Sequence, residues 1–220
     1  MDLSEKSKKE ISSLFFKNRC LETNSTAHLI CKTLYSAPCE QKQLVEKILQ
    51  MNKSLNVIRV SICDLQSKNL IQFTDGLFKL TDTGRWYYVA AKIGISVSSL
   101  CLLSQAYVIQ KNLENNGFVG YFAVAYFADI VKYSHSTSKL IRNLREMGLT
   151  YRHHKNTIRI FPEKMKMLEN YDAELTSLNK WVVEIKSKIT DIEDSDSIAR
   201  ENFIKDLECY ARLHKSKVMQ

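Results

Sequence analysis

Leu65-Gln66-Ser67-Lys68-Asn69-Leu70-Ile71 closes one helical stretch, and Leu144-Arg145-Glu146-Met147-Gly148-Leu149 closes another; each has a leucine, three variable residues, Asn or Gly, and a second leucine. After the first copy, Leu70-Ile71-Gln72-Phe73 and Leu77-Phe78-Lys79-Leu80 flank Thr74-Asp75-Gly76. Asp-Gly between two short apolar runs is a strong short-range hairpin signal. After the second copy, Leu149 to His153 and Thr157 to Phe161 flank His154-Lys155-Asn156. The chain thus spells helix, strand, turn, strand twice.

Helical periodicity precedes each hairpin. In the first half, Asn24-Ser25-Thr26 supplies N-capping types for a helix carrying Leu29, Ile30, Thr33 and Leu34, which Pro38 ends. Glu40 to Met51 reads as a second helix, with Leu44, Ile48 and Met51 as its stripe. Asn52-Lys53-Ser54 turns into a third, which runs to about Lys68 and offers Val57, Ile58, Ile62 and Leu65 to a core. In the second half, helices are expected at about Ser98 to Asn115, Tyr121 to Lys132 and Ser136 to Met147, the last with Leu140, Leu144 and Met147 facing inward. Phe161-Pro162-Glu163 opens a further helix, with proline suited to a first turn.

Leu80-Thr81-Asp82-Thr83-Gly84-Arg85 follows the first hairpin. Thr81 or Asp82 can cap the next helix, so the strand turns straight into it. This Leu-Thr-x-x-Gly exit resembles winged helix-turn-helix regulators of the MarR and PadR type and their archaeal relatives, over roughly residues 26 to 94. The resemblance implies a mainly α fold with small β-hairpin wings and, given the second copy, two winged helices in tandem. The expected organisation is an N-terminal amphipathic helix or arm over 1–24 with Ile11, Leu14 and Phe15, winged-helix domains over 25–95 and 96–162, and a helical region over 163–220. The second copy lacks the Leu-Thr-x-x-Gly exit.

Leu168, Tyr171, Leu175, Leu178, Val182, Ile185, Ile189 and Ile192 alternate spacings of three and four, the pattern of a coiled-coil seam. These residues are expected to form a dimerisation element that needs a partner helix. Asp191 to Ser197 interrupts the pattern before a last helix with Ile198, Phe203, Leu207 and Tyr210.

The chain of 220 residues carries a formal charge of +8, which suits a polyanionic partner. Only 6 Gly and 2 Pro leave little material for a turn-dense β fold. Six cysteines, at 20, 31, 39, 63, 101 and 209, form no Cys-x-x-Cys, and no apolar leader follows Met1, so reduced thiols in a cytoplasmic, nucleoid-associated setting are expected, or a nuclear one in a eukaryote. His153 and His154 lack neighbours that would complete a zinc site, and no metal or cofactor is expected. Neither a phosphate loop nor a His-Glu-x-x-His or Gly-x-Ser-x-Gly nucleophile motif occurs, so no catalytic constellation is found. Gly117-Phe118-Val119-Gly120 has the spacing of an RNA-clamping loop but apolar central residues, and reads as a buried turn. The uncharged runs Ile93 to Gln110 and Asn115 to Ala128 are diluted by Ser96, Ser98, Ser99, Ser104 and Gln105, or short for a bilayer crossing, and read as helices covered on more than one side.

DNA contact is expected first from the second copy. Arg142 and Asn143 suit guanine and adenine edges; Ser136, Thr137 and Lys139 suit phosphate oxygens; and Arg145, Arg152, Lys155 and Arg159 extend the basic field. In the first copy Lys53, Ser54, Asn56 and Arg59 are candidates, diluted by Asp64 and Asp75. The leading reading is a homodimeric regulator of transcription on double-stranded DNA, with no membrane and no small-molecule ligand. The competing readings are a plasmid or viral replication initiator or segregation protein, and a winged-helix interaction module without DNA binding.

Overall fold

A computed structural model describes residues 21–115, 122–123, 137–151 and 157–190. The expected N-terminal helix with Ile11, Leu14 and Phe15, the Gly117–Gly120 turn, the hairpin tip with Arg152, His153, His154 and Lys155, and the stretch from Asp191 onward lie outside these residues. Within them the chain is mainly helical, with small antiparallel sheets. The first half comprises α1 (Thr26–Ser36), β1 (Cys39–Glu40), α2 (Gln41–Leu49), α3 (Leu55–Ser67), β2 (Ile71–Thr74), β3 (Leu77–Leu80) and α4 (Asp82–Ile93). The second comprises α5 (Val97–Asn115), β4 (Phe122–Ala123), α6 (Thr137–Glu146), β5 (Thr150–Tyr151), β6 (Thr157–Ile160) and α7 (Pro162–Glu169), after which α8 (Asp172–Thr190) follows.

The repeated leucine pattern has a definite backbone cause. Asn69 (φ 55°) and Gly148 (φ 62°) adopt the left-handed conformation just past α3 and α6. In each copy the next leucine's amide reaches back to the first leucine's carbonyl, Leu70 N to Leu65 O at 2.9 Å and Leu149 N to Leu144 O at 3.0 Å. The left-handed residue donates to the carbonyl of the following position, Asn69 to Gln66 at 2.9 Å and Gly148 to Arg145 at 2.8 Å. This is the Schellman ending, whose hydrophobic contact between the two flanking positions is supplied by buried Leu65 with Leu70 and Leu144 with Leu149. Only a residue tolerating positive φ ends the helix this way, which restricts the position to Gly or Asn.

Each ending feeds a hairpin with the same register. Ile71 pairs with Leu80 and Thr150 with Ile160, one residue past the second leucine in both copies. In the first hairpin Asp75 (φ 54°) and Gly76 (φ 77°) both take positive φ, the requirement of a type I′ turn. A third strand joins from upstream, giving orders β1-β3-β2 and β4-β6-β5. These short strands were not visible in the periodicity: Cys39 and Glu40 pair with Phe78 and Leu77, and Phe122 and Ala123, expected in a helix, pair with Ile158 and Thr157.

The Leu-Thr-x-x-Gly exit is a latch between hairpin and helix. Thr81 Oγ1 donates toward Asn69 O (2.6 Å) and lies 3.1 Å from Leu70 O, and it accepts from Gly84 N at 3.0 Å, capping α4. A Cβ on Gly84 would stand 1.9 Å from Leu70 O, so a backbone carbonyl occupies the space any side chain needs. The second copy closes through Phe161 N to Leu149 O (3.2 Å), the counterpart of Thr81 N to Leu70 O (3.1 Å), without a side-chain cap.

α5 is buried almost all round: Leu100, Cys101, Leu102, Leu103, Ser104, Ala106 and Tyr107 are each at most 1% exposed. Its polar groups are matched locally. Gln110 acts as a strand edge, accepting from Ile160 N (2.8 Å) and donating to Ile160 O (3.1 Å). Among the described residues no single helix is long and apolar enough to cross a membrane; α4 and α5 pass such a test only together, bent by 92°.

α8 covers α4 and α5. This corrects the expectation that the heptad residues require a partner helix: Leu168, Leu175, Leu178 and Val182 are buried inside this chain, and Tyr171 is half-buried. The backbone carrying Ile185 and Ile189 is helical, and Ile192 lies outside the described residues. Polar contacts fix α8 to both halves. Arg85 meets Glu174 (3.4 Å), Trp86 Nε1 donates to Ser177 Oγ (2.9 Å) and its ring packs on Trp181 at 5.7 Å. Across α5, Lys111 Nζ and Tyr107 OH (2.9 Å) both donate to Asp172 Oδ1.

Two outcomes follow from this architecture. Gly84→Ala should destabilise the fold by roughly 3 kcal/mol or more, because backbone must move to admit the methyl; a urea midpoint within experimental error of the parent would refute the latch. Hydrogen bonds from Lys111 and then Tyr107 hold the Asp172 carboxyl below the usual carboxylate range. A depressed folded pKa stabilises above the unfolded value, about 3.9, and that stabilisation is lost as pH falls through the folded value. Asp172→Asn should therefore lower the urea midpoint at pH 7 clearly and at pH 3 much less; equal losses at both pH values would exclude the charge as the cause.

Candidate nucleic-acid interface

α6 is anchored by Leu140 (2% exposed) and Leu144 (0%), with Ile141 packed beside them. The helix turns its opposite side to solvent, and Lys139, Arg142 and Glu146 at i, i+3 and i+7 form the exposed line there. Asn143 and Arg145 flank it, each half-buried. Met147, expected inside, is 47% exposed, because the chain has left the helix by then and its side chain lies over Gly94, where an added Cβ would be 3.2 Å from Met147 Cε.

Arg142 Nε lies 3.6 Å from Glu146 Oε1, with both side chains well exposed. Such a pair contributes about 0.5 kcal/mol or less and exchanges readily for a stronger anion. Arg159, on β6 opposite Tyr151, is half-buried. The Nε atoms of Arg145 and Arg159 are shielded from solvent, which leaves the guanidinium tips as the parts that can meet a ligand. Of the expected contact residues in this half, Lys139, Arg142, Asn143 and Arg145 are thus gathered on α6, with Arg159 on the adjoining hairpin. The backbone of Thr137 starts α6; Ser136, Arg152 and Lys155 lie outside the described residues.

The equivalent surface of the first half is chemically different. Ser54 is the N-cap of α3 with φ −75° and ψ 149°, yet its hydroxyl makes no capping bond, and it is exposed together with Asn56 and Arg59; Lys53 is half-buried. The other cations nearby are engaged: Lys68 holds Asp64 at 2.6 Å and Lys79 holds Asp75 at 3.4 Å. Between them the surface is apolar. Val57, expected in the core, is 48% exposed, Val60 is 69% exposed, and Met51, expected on the α2 stripe, is 42% exposed. The core is already filled from the other side of α3 by Ile58, Ile62 and Leu65. The sequence signal for this inversion is that Val57 and Val60 lie off the i, i+4, i+7 line of those three.

Among the described residues no group of His, Cys, Asp or Glu has the arrangement of a metal site. The described cysteines are free thiols; Cys31, Cys39 and Cys101 are buried and Cys63 is exposed on α3. Burial pushes the Cys31 thiol up to about 12 and raises that of Cys101 as well, so neither is a nucleophile at neutral pH.

The chain matches no family model, no curated protein and no solved structure in the comparisons made.

Iodoacetamide applied to dilute native protein should modify Cys63 and spare Cys31, Cys39 and Cys101 until urea unfolds the chain. Peptide mass spectrometry reads this directly, and native labelling of Cys101 would contradict the burial of α5.

Proposed function

We propose that this chain is a double-stranded DNA-binding protein built on two winged helices in tandem, with α6 as the helix that enters the major groove and the β5–β6 hairpin as the wing on the phosphates. The order helix, strand, helix, helix, hairpin is complete in the first half, and the second half repeats its β-sheet order and its helix-to-hairpin ending. That supports the winged-helix reading, in which the third helix presents its outer face to base edges and the wing lies beside the backbone.

The observation that carries the DNA reading is the outer line of α6. Lys139 and Arg142 project from a helix whose opposite face is locked by Leu140 and Leu144, with Asn143, Arg145 and Arg159 alongside. Arg142 is suited to O6 and N7 of guanine and Asn143 to N6 and N7 of adenine, while Lys139 serves a phosphate. On meeting DNA, Arg142 leaves Glu146, and that carboxylate, on the same line, disfavours registers that press it onto the backbone. A regulator of transcription is the role that fits such a reader. The contacts of α8 with α4 and α5 hold the two halves as one body, so a site touched by both would have a fixed spacing.

Fluorescence anisotropy with random and genomic duplexes across a salt series tests this. Binding should weaken steeply as salt rises, and Lys139→Ala should reduce the slope of log K against log salt by about 0.9 while weakening all sequences alike. Arg142→Ala should cost about 1–3 kcal/mol on preferred fragments and flatten the preference among them. Absence of binding at about 50 mM salt would end the proposal.

A further inference from the structure

Large exposed apolar side chains are unevenly distributed over the described residues. Leu49, Met51, Leu55, Val57, Val60 and Phe73 all lie between the end of α2 and the first hairpin, whereas the rest of the described chain adds only Met147 and Val183. On α3 the line opposite the core, at spacings of four, three and four, is Asn56, Val60, Cys63 and Ser67, and Arg59 and Asp64 flank it. One cation and one anion on the helix make the face neutral. That is a poor surface for a polyanion and a suitable one for protein.

The order of these residues is self-complementary. If a second α3 is laid antiparallel with the two-fold level with the Ser61–Ile62 peptide, position 59 meets 64, position 60 meets 63 and position 56 meets 67. Arg59 then faces the partner's Asp64, Val60 the partner's Cys63 and Asn56 the partner's Ser67. Each contact occurs twice, as a two-fold interface requires. The apolar pair sits nearest the axis with the opposite charges beside it, so like meets like in polarity and opposite meets opposite in charge.

We infer that the outer face of α3 is the surface through which two copies of this chain pair, antiparallel and helix to helix. The Schellman ending and the hairpin place Phe73 near the C-terminal end of α3, and the turn from α2 places Leu49, Met51 and Leu55 at its N-terminal end, so each copy offers apolar side chains beyond the helix itself. A 13-residue helix is about 20 Å long, and its footprint lies at the low end of specific interfaces. The pair is accordingly weak, with a dissociation constant of about micromolar or higher. This surface is separate from α6 and does not depend on the DNA reading.

Sedimentation equilibrium of the full chain without DNA, from about 1 to about 500 µM, tests the pair. The mass should rise from one copy toward two. Val60→Glu should weaken the association at least about 10-fold by bringing carboxylates toward the axis. Arg59→Asp should weaken it too, and combining it with Asp64→Arg should restore it to within about 3-fold, because the reversed pair is again complementary. Far-UV circular dichroism checks that each variant is folded. A readout that needs no variant is Cys63 alkylation in the parent protein, which should slow as concentration rises. A single-copy mass throughout would overturn the inference, as would a dimer indifferent to Val60→Glu, which would place the contact elsewhere, for instance at residues 191–220. Loss of DNA binding on Val60→Glu with no change in mass would assign α3 to DNA and overturn it equally.

Discussion

A left-handed residue at the end of a helix decides this fold twice. Asn69 and Gly148 cannot continue α3 and α6, and the Schellman bonds that follow send the chain back with a leucine pinned under the helix. Everything downstream is set from that leucine. Its carbonyl, at Leu70 or Leu149, later receives the amide of the residue that leaves the hairpin, Thr81 or Phe161, so each hairpin is tied at its base to the helix that launched it. Hairpins of four residues a side or fewer have little stability of their own; these are held because both ends converge on one buried peptide group. In the first copy Thr81 and Gly84 tighten the convergence further, which gives the Leu-Thr-x-x-Gly spacing a mechanical reason.

Much of this was legible in the sequence because it rests on local chemistry. Asp75-Gly76 encodes its turn, Ser25 and Thr81 encode caps, and Pro162 marks a helix start, each within a few residues of its effect. The strands β1 and β4 were not legible, since two residues have no periodicity and their pairing partners lie more than 30 positions away. Val57 and Met147 show the limit of counting apolar residues: the stripe fixes a direction on the helix only when the competing residues can be ranked, and three aliphatics already filled the core side of α3. The heptads were read correctly as a helix with a buried face. Spacing carries no information on who covers that face, and here α4 and α5 do. Trp181, Ser177 and Glu174, which make the specific contacts to Trp86 and Arg85, fall outside the heptad positions and gave no periodic signal.

The two copies therefore share a backbone plan and differ in what they present. α6 carries cations on its solvent line, although Glu146 shares that line and tempers it. α3 carries valines, with its neighbouring lysines tied to Asp64 and Asp75. For the candidate interface, residue type and charge were readable in advance; the ion pairing and the outward valines needed the fold. One scaffold used for two kinds of contact is consistent with function residing in surface chemistry rather than in the fold.

The position of α8 in the chain has a consequence for biosynthesis. The faces of α4 and α5 that it covers, including Trp86 and Tyr107, are complete as soon as residue 115 has been made, but their cover begins only at residue 172. During translation the growing chain must carry an open apolar surface while more than 50 further residues are added. Nascent chains in that interval are the species most exposed to aggregation, and the last-formed helix acts as the step that commits the molecule to its folded state.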